Sequence, residues 1–328
     1  MSVVTVAERQ VDVANPTAGM VLTAAALALP ALAATVALPL ATYTISLAGF
    51  GLAHVLSEMH YVRGRFAGRL SSGLAERFGL PIAVAALARA AATWGVLPPT
   101  VAVAIELVAA AVLAIGATMA MRRRRAAGAM VGVVLVSGAV MAPYHLLLVL
   151  ALLHNLTPLG FVAEALKGSA RRWMLGLLTI PFIVLPLLIA TGLPYAALDA
   201  AGLTNPELRV FASGPLALNL GAYVPREFAD AGWARHAFSA AVFAQLAHYA
   251  AVMLLLPRLA RGAARGAARR RIAPVGIAAG AVLALVFALD YDLARRFYSL
   301  AALVHAWVEI PILLLALGGL PSAQPVRA

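Results

Sequence analysis

The sequence predicts an all-α, polytopic integral membrane protein built as a bundle of about ten transmembrane helices. Of its 328 residues, 63% are hydrophobic and only 12% are charged, and the mean hydropathy is +0.93. A soluble domain carries about a quarter charged residues. The apolar runs are long and continuous, whereas a transmembrane barrel would show short alternating segments. We therefore expect the lipid bilayer to surround the chain.

The distribution of charge supports the same class. The net charge of +12 comes almost wholly from arginine, because Lys167 is the only lysine. The arginines form short clusters between apolar runs, which is typical of cytoplasmic loops that face anionic lipid. We therefore expect no nucleic-acid partner. The absence of cysteine excludes thiolate metal sites, so any metal must have nitrogen and oxygen ligands.

Each predicted span is an apolar run that ends at a proline, a turn or a basic cluster. Pro39 separates the first two, the basic loop 63–79 follows the second, and four arginines at 122–125 end the fourth. A span needs about 20 helical residues. The predicted spans are 18–38, 42–62, 80–97, 100–121, 126–142, 145–166, 173–193, 236–257, 273–290 and 297–318.

Residues 126–166 allow two interpretations: one long kinked helix, or two spans that meet at Pro143. Two spans place the basic clusters 167–172 and 258–271 on the cytoplasmic side, as the positive-inside rule prefers. This choice gives ten spans with both termini in the cytoplasm, and it favours the cytoplasmic membrane of a bacterium.

The predicted domain organisation is simple. A short cytoplasmic segment (1–17) precedes a single transmembrane domain (18–320), and a short cytoplasmic tail (321–328) follows it. Residues 194–235 are too polar and broken to span, so we expect a long outer loop, which is usually functional.

Two HxxxE pairs lie inside predicted spans, His54 with Glu58 and His305 with Glu309. Residues four apart share one face of a helix, so each glutamate lies one turn from its histidine. Tyr61 follows the first pair on its face. Tyr298 precedes the second. Ionisable groups in hydrocarbon are costly and usually mark a function.

Two more histidines, His154 and His248, lie at a similar depth on two other predicted spans. Given the ten-span topology, four helices bring these side chains together between the midplane and the inner third. We predict a metal site with the ligands His54, Glu58, His154, His248, His305 and Glu309.

Neighbouring polar residues have predicted supporting roles. Gln245, one turn before His248, and Asn155, next to His154, could each hold an imidazole in one tautomer. Tyr61 and Tyr298 are the predicted catalytic residues, which could hydrogen-bond dioxygen or supply a proton. His145 is a reserve ligand, half a turn out of phase with His154. An alternative role for Glu58 is an ion pair with Arg63 or Arg65, which lie close to it in sequence.

Nitrogen and carboxylate ligands in an apolar setting favour iron, with zinc, manganese and copper as alternatives. The predicted function is a metal-dependent oxidoreductase or oxygenase that acts on a lipophilic substrate. A proton-coupled transporter or channel could use the same residues as a relay. A b-type haem protein for electron transfer and a non-catalytic assembly subunit are further alternatives. The sequence identifies no membrane partner or electron donor.

In composition, size and number of histidines, the chain resembles histidine-coordinated polytopic iron oxygenases such as the carotene-cleaving Brp/Blh type. The resemblance implies iron chemistry on a lipid-soluble substrate. No motif of that group matches this sequence residue for residue, so the sequence assigns no family.

Overall fold

The structure, a computed structural model, describes residues 18–66, 72–259 and 268–319. Within these ranges the chain is helical and contains no strand. The predicted segment 1–17 and the tail 321–328 lie outside the described residues, as do parts of two basic loops. The orientation of the termini therefore stays a prediction.

Each of the predicted spans coincides with a helix or with a pair of helices that follow one another. Most boundaries differ by a few residues, and the third helix begins and ends earlier than predicted. The helices are α1 (Ala18–Ala37), α2 (Pro39–Phe66), α3 (Ser72–Thr93), α4 (Pro99–Ala120), α5 (Arg125–Met141), α6 (Pro143–His154), α7 (Thr157–Ala165), α8 (Gly168–Thr179), α9 (Leu185–Ala190), α12 (Ala234–Ala250), α13 (Leu256–Leu259), α14 (Ala268–Leu289) and α15 (Tyr291–Gly318).

Among the described residues, five continuous helices are long and apolar enough to cross a membrane. They are Pro39–Phe66, Pro99–Ala120, Gly168–Ala190, Ala234–Leu259 and Tyr291–Gly318. The bent pair α6 and α7 makes a sixth if it counts as one span. The fold is therefore consistent with an integral membrane protein, whereas the count of ten spans stays a prediction.

Prolines explain where the helices widen or break. Pro186 and Pro257 each follow a π-turn. In each turn, the amide of the residue just before the proline donates to the carbonyl five residues earlier. The wider turn avoids the clash between a proline ring and the carbonyl four residues before it. Pro143 begins α6, so residues 126–166 are not one continuous helix. α6 and α7 then meet at 44°.

The predicted outer loop, residues 194–235, contains structure of its own. It includes α10 (Leu193–Ala200), α11 (Leu216–Leu220) and a single 3₁₀ turn at Arg226–Phe228. Leu216, Leu220 and Val224 pack into an apolar cluster that also holds residues of α2, α12, α14 and α15. This segment therefore covers one end of the bundle.

Two apolar clusters place the polar residues of interest in the middle of the bundle. One cluster contains buried apolar residues from segment 40–48 of α2 and from segment 234–242 of α12. The other contains buried apolar residues from segment 61–66 of α2 and from segment 252–259. Because the predicted ligands on α2 and α12 lie between these clusters, apolar packing fixes the registers that bring them together.

An ion pair that the sequence reasoning missed joins α3 to α4. Arg89 donates to both carboxylate oxygens of Glu106, with both nitrogen–oxygen distances 2.6 Å. The Glu106 side chain is fully buried, and that of Arg89 is 25% exposed. The sequence did contain a signal for this pair, because Arg89 and Glu106 are charged residues that each lie within an apolar run. The bidentate geometry compensates the cost of burying the carboxylate.

We expect Glu106→Ala to destabilise the protein by about 3 kcal/mol, because it leaves the Arg89 guanidinium without its partner. Equilibrium unfolding in mixed detergent micelles measures the change. The double variant Arg89→Leu/Glu106→Leu should recover much of the loss, since it removes both charges. Arg77→Ala, an exposed position on α3, is the control. An equal loss in the control would contradict this account of the pair.

Candidate metal centre

Four histidines from four helices meet in the middle of the bundle. Their side chains come from α2, α6, α12 and α15, and one ring nitrogen of each lies within 4.8 Å of the others; they are His54, His154, His248 and His305. His54, His248 and His305 are at most 2% exposed. His154, at the end of α6, has a side chain that is 18% exposed. This arrangement could hold a metal ion.

Hydrogen bonds to the main chain assign the tautomers of two of these rings. Nδ1 of His54 lies 3.2 Å from the carbonyl of Phe50, and Nδ1 of His305 lies 3.3 Å from that of Ala301. A carbonyl only accepts, so each Nδ1 carries the proton and donates it. Each Nε2 therefore keeps its lone pair, which is the form that binds a metal.

His154 faces two different partners with its two ring nitrogens. Its Nδ1 lies 2.9 Å from Oε2 of Glu309, and its Nε2 lies 3.0 Å from Nε2 of His305. If the proton of His154 is on Nδ1, beside the carboxylate, both Nε2 atoms are acceptors and their lone pairs repel each other. A metal ion about 2.0–2.1 Å from each nitrogen would relieve this repulsion, because cis ligands then lie about 3 Å apart.

Two fully buried carboxylates adjoin the histidines. Glu58 and Glu309 are 0% exposed, and their oxygens group with His154 within 4.8 Å. Oε2 of Glu58 lies 3.5 Å from Nε2 of His248. Among the described residues no group has hydrogen-bond geometry to any of these four oxygens. Two adjacent buried carboxylates are costly unless cationic charge lies beside them.

Glu58 is therefore not the surface partner of Arg63 or Arg65 that the sequence left open. Arg65 instead donates to Glu164 at 2.6 Å. Each glutamate of the HxxxE pairs faces an imidazole from a different helix: Glu309 faces His154, and Glu58 faces His248. Carboxylates in this position orient histidine ligands and raise their basicity.

Gln245 supports the centre in a different way from the one predicted. Its Nε2 donates to Ser46 (3.2 Å) and to the Tyr249 hydroxyl (2.9 Å), and its Oε1 accepts from Tyr223. The Tyr249 ring stacks on His54 with ring centroids 4.0 Å apart. Gln245 thus acts on His54 through Tyr249. Asn155 is buried beside His154, and its Nδ2 has no hydrogen-bond partner among the described residues.

The two predicted catalytic tyrosines lie in different surroundings. The Tyr298 hydroxyl lies 3.0 Å from that of Tyr249, so it belongs to the polar network beside the centre. Tyr61 packs edge-on against Phe66 and Phe161 in an apolar cluster. Tyr61 is not among the residues that line the cavity described below.

The reserve ligand His145 lies away from the centre. It pairs with Glu227 of the connecting segment, and both side chains are about half exposed. The half-turn phase difference from His154 on α6 accounts for this separation.

A cavity of about 460 Å³ adjoins all four histidines. Leucines of α6 form one wall, among them Leu147 and Leu150, and α6 has no fully buried residue. Tyrosines and two arginines, Arg89 and Arg295, also line the cavity. A small or medium-sized apolar molecule in this cavity would therefore lie next to the imidazoles.

Comparisons with known proteins assign no relationship. No protein-family model, no curated protein and no solved structure matches the chain. The function must therefore be argued from the site itself.

The close approach of α2 to Tyr298 gives a test of the polar network. A Cβ added at Gly51 would lie 2.8 Å from Cε2 of Tyr298, whereas one at Gly49 would meet nothing within 4 Å. We expect Gly51→Ala to destabilise the protein by about 1–3 kcal/mol, because the tyrosine must move. The control Gly49→Ala should be neutral or slightly stabilising, as expected for alanine in a helix. Equilibrium unfolding compares them, and equal stability of the two variants would refute this packing.

Proposed function

We propose that the protein is a membrane-embedded, metal-dependent oxidoreductase that acts on a lipophilic substrate at the four-histidine centre. The observation that carries this proposal is the convergence of His54, His154, His248 and His305 beside two buried carboxylates. A cluster of this kind is costly in an apolar bundle unless it binds a cation.

The donor set favours a non-haem iron ion. Imidazole nitrogens with carboxylates suit iron, and they also suit zinc, manganese and copper. The short distance of 3.0 Å between the Nε2 atoms of His154 and His305 leaves no room for a porphyrin between these two rings. A bound iron ion would supply oxygen-dependent oxidation of the substrate.

The cavity argues for a catalytic role over a purely structural one. Structural metal sites are closed, whereas catalytic sites keep a position open to substrate. Here all four histidines line a cavity with apolar walls, so a lipid-soluble molecule can reach the ion. The wall formed by α6, with no fully buried residue, suits lateral access from the bilayer.

The protein's own groups have separate roles in this proposal. The imidazoles hold the ion. Glu58 and Glu309 orient two of them and balance the positive charge of the ion. Tyr249 fixes the plane of the His54 ring by stacking. The apolar residues around the cavity exclude bulk water.

The proposed setting is the cytoplasmic membrane of a bacterium, with ten spans and both termini in the cytoplasm. The correspondence between helices and predicted spans supports the count, and the arginine clusters support the orientation. An electron donor is not identified by the described residues.

One observation favours a second candidate, a proton-coupled transporter. The helix break between α6 and α7 bends by 44° directly after His154, and transporters commonly place their sites at discontinuous helices. In that case metal-free protein in liposomes would move protons together with a solute. The oxidoreductase proposal requires that metal-free protein be inactive.

Metal analysis of detergent-purified protein, with a visible spectrum of the same sample, tests the proposal. We expect about one iron per chain and no haem band. His305→Ala and His248→Ala should lose the metal while the protein still inserts, because each removes a buried ligand. His145→Ala, whose imidazole pairs with Glu227 at the surface, should retain wild-type metal. A haem band, or wild-type metal in both ligand variants, would overturn the proposal.

The roles of the carboxylates have a separate test. We expect Glu309→Gln to weaken metal binding by about 10–100-fold, because the amide keeps the shape of the side chain but loses the charge beside His154. Titration of bound metal with a chelator measures the affinity. Glu76→Gln, at an exposed position of α3, is the control. Complete loss of metal in Glu309→Gln would make Glu309 a direct ligand instead.

A further inference from the structure

One end of the cavity is rich in hydrogen-bond donors. Tyr43, Tyr223, Tyr249 and Tyr298 line it, and Arg295 lies one helical turn before Tyr298 on α15. We call these five residues the donor end. The described residues that line the cavity include no aspartate or glutamate.

The two arginines on the cavity wall differ in their partners. Arg89 is engaged by both oxygens of Glu106. The half-buried Arg295 has no ion pair and no hydrogen bond to any described residue, and the nearest acidic residue along α15 is Asp292, three positions before it. A guanidinium carries five N–H donors in a fixed fork that matches carboxylate and phosphate groups.

Some tyrosine hydroxyl groups of the donor end also have a hydrogen with no acceptor among the described residues. The Tyr43 side chain is 5% exposed, and its hydroxyl has no partner within the described ranges. Gln245 donates to the Tyr249 oxygen, and a single hydrogen joins the hydroxyls of Tyr249 and Tyr298. The second hydrogen of that pair therefore remains to be donated. Tyr43, Arg295 and the tyrosine pair thus each have a hydrogen available for an acceptor on a ligand.

The donor end is continuous with the metal centre. Arg295 and His305 are ten residues apart on α15, which is about 15 Å along the helix axis. Apolar side chains, among them Leu47, Leu150 and Leu303, line the same cavity. The cavity thus combines the donor end, an apolar wall and the histidine cluster.

We propose that the donor end binds the anionic head group of an amphipathic substrate, whose apolar chain extends along the cavity to the histidines. The head group is a carboxylate or a phosphate, because both present several anionic oxygens to the guanidinium and the hydroxyls. This assignment rests on the proposed function only in one respect, the reaction of the substrate's apolar chain at the metal. Head-group binding itself does not need the metal.

Direct binding tests the proposal. The full-length protein, in nanodiscs of zwitterionic phosphatidylcholine, is titrated with a radiolabelled fatty acid, and with the alkyl monophosphate and the primary alcohol of the same chain length. Empty nanodiscs give the partition blank. We expect at least one of the two anions to bind the wild type at least about tenfold more tightly than the alcohol. Tighter binding of the acid identifies a carboxylate substrate, and tighter binding of the phosphate identifies a phosphorylated lipid.

Arg295→Gln should lower the binding of both anions to the level of the alcohol, and Tyr43→Phe should lower it partly. The matched control is Arg296→Gln, since Arg296 is the neighbouring, exposed arginine of α15. Equal binding of alcohol and anions by the wild type would overturn the proposal. An equal loss in Arg296→Gln would also overturn it, because it would indicate general surface attraction.

Metal content, measured on every sample, separates this proposal from the proposed function. His305→Ala should lose the metal and still prefer anions over the alcohol. A wild-type protein that prefers anions but retains no metal would contradict the oxidoreductase proposal alone. A protein that retains metal but shows no anion preference would contradict the head-group site alone.

Discussion

The cost of burying polar groups within an apolar bundle is the constraint from which the arrangement of this protein follows. Four imidazoles and two carboxylates, all but one of them at most 2% exposed, have little contact with bulk water. They must therefore satisfy one another, the main chain or a bound cation. Main-chain carbonyls bind Nδ1 of His54 and His305, and carboxylates contact His154 and His248. The remaining lone pairs of the ring nitrogens converge. The polar groups thus form a cluster that could hold a metal ion at the place where they meet.

Apolar packing gives that site its position. On α2 and α12 the polar residues lie between one cluster beside the connecting segment and another beside α7 and α8. Shifting either helix by one turn would place a carboxylate of α2 or polar groups of α12 into one of these clusters, which would cost several kcal/mol. The Arg89–Glu106 pair fixes α3 against α4. The centre is held by the same contacts that hold the bundle.

The cavity connects the centre, which presents lone pairs, to a second polar region, which presents hydrogen-bond donors. The histidine cluster offers electron pairs, whereas the donor end offers hydrogens. Gln245 joins the two regions, because it bonds the tyrosines while Tyr249 stacks on His54. A ligand that lies across the cavity would therefore influence both the position of its own head group and the plane of an imidazole. If both proposals hold, these few contacts link substrate selection to the geometry of the centre.

The sequence by itself determined the membrane class, the approximate helices and the identity of the histidines and glutamates, because hydropathy and helical spacing are local properties. Only the tertiary structure decided their partners. Each HxxxE pair places its two side chains on one face, yet Glu309 faces His154 and Glu58 faces His248. Likewise, seven residues put Tyr61 on the face of His54, but Phe161 of α7 draws it into an apolar cluster. Contacts between helices depend on packing between residues far apart in sequence, which helical spacing alone does not encode.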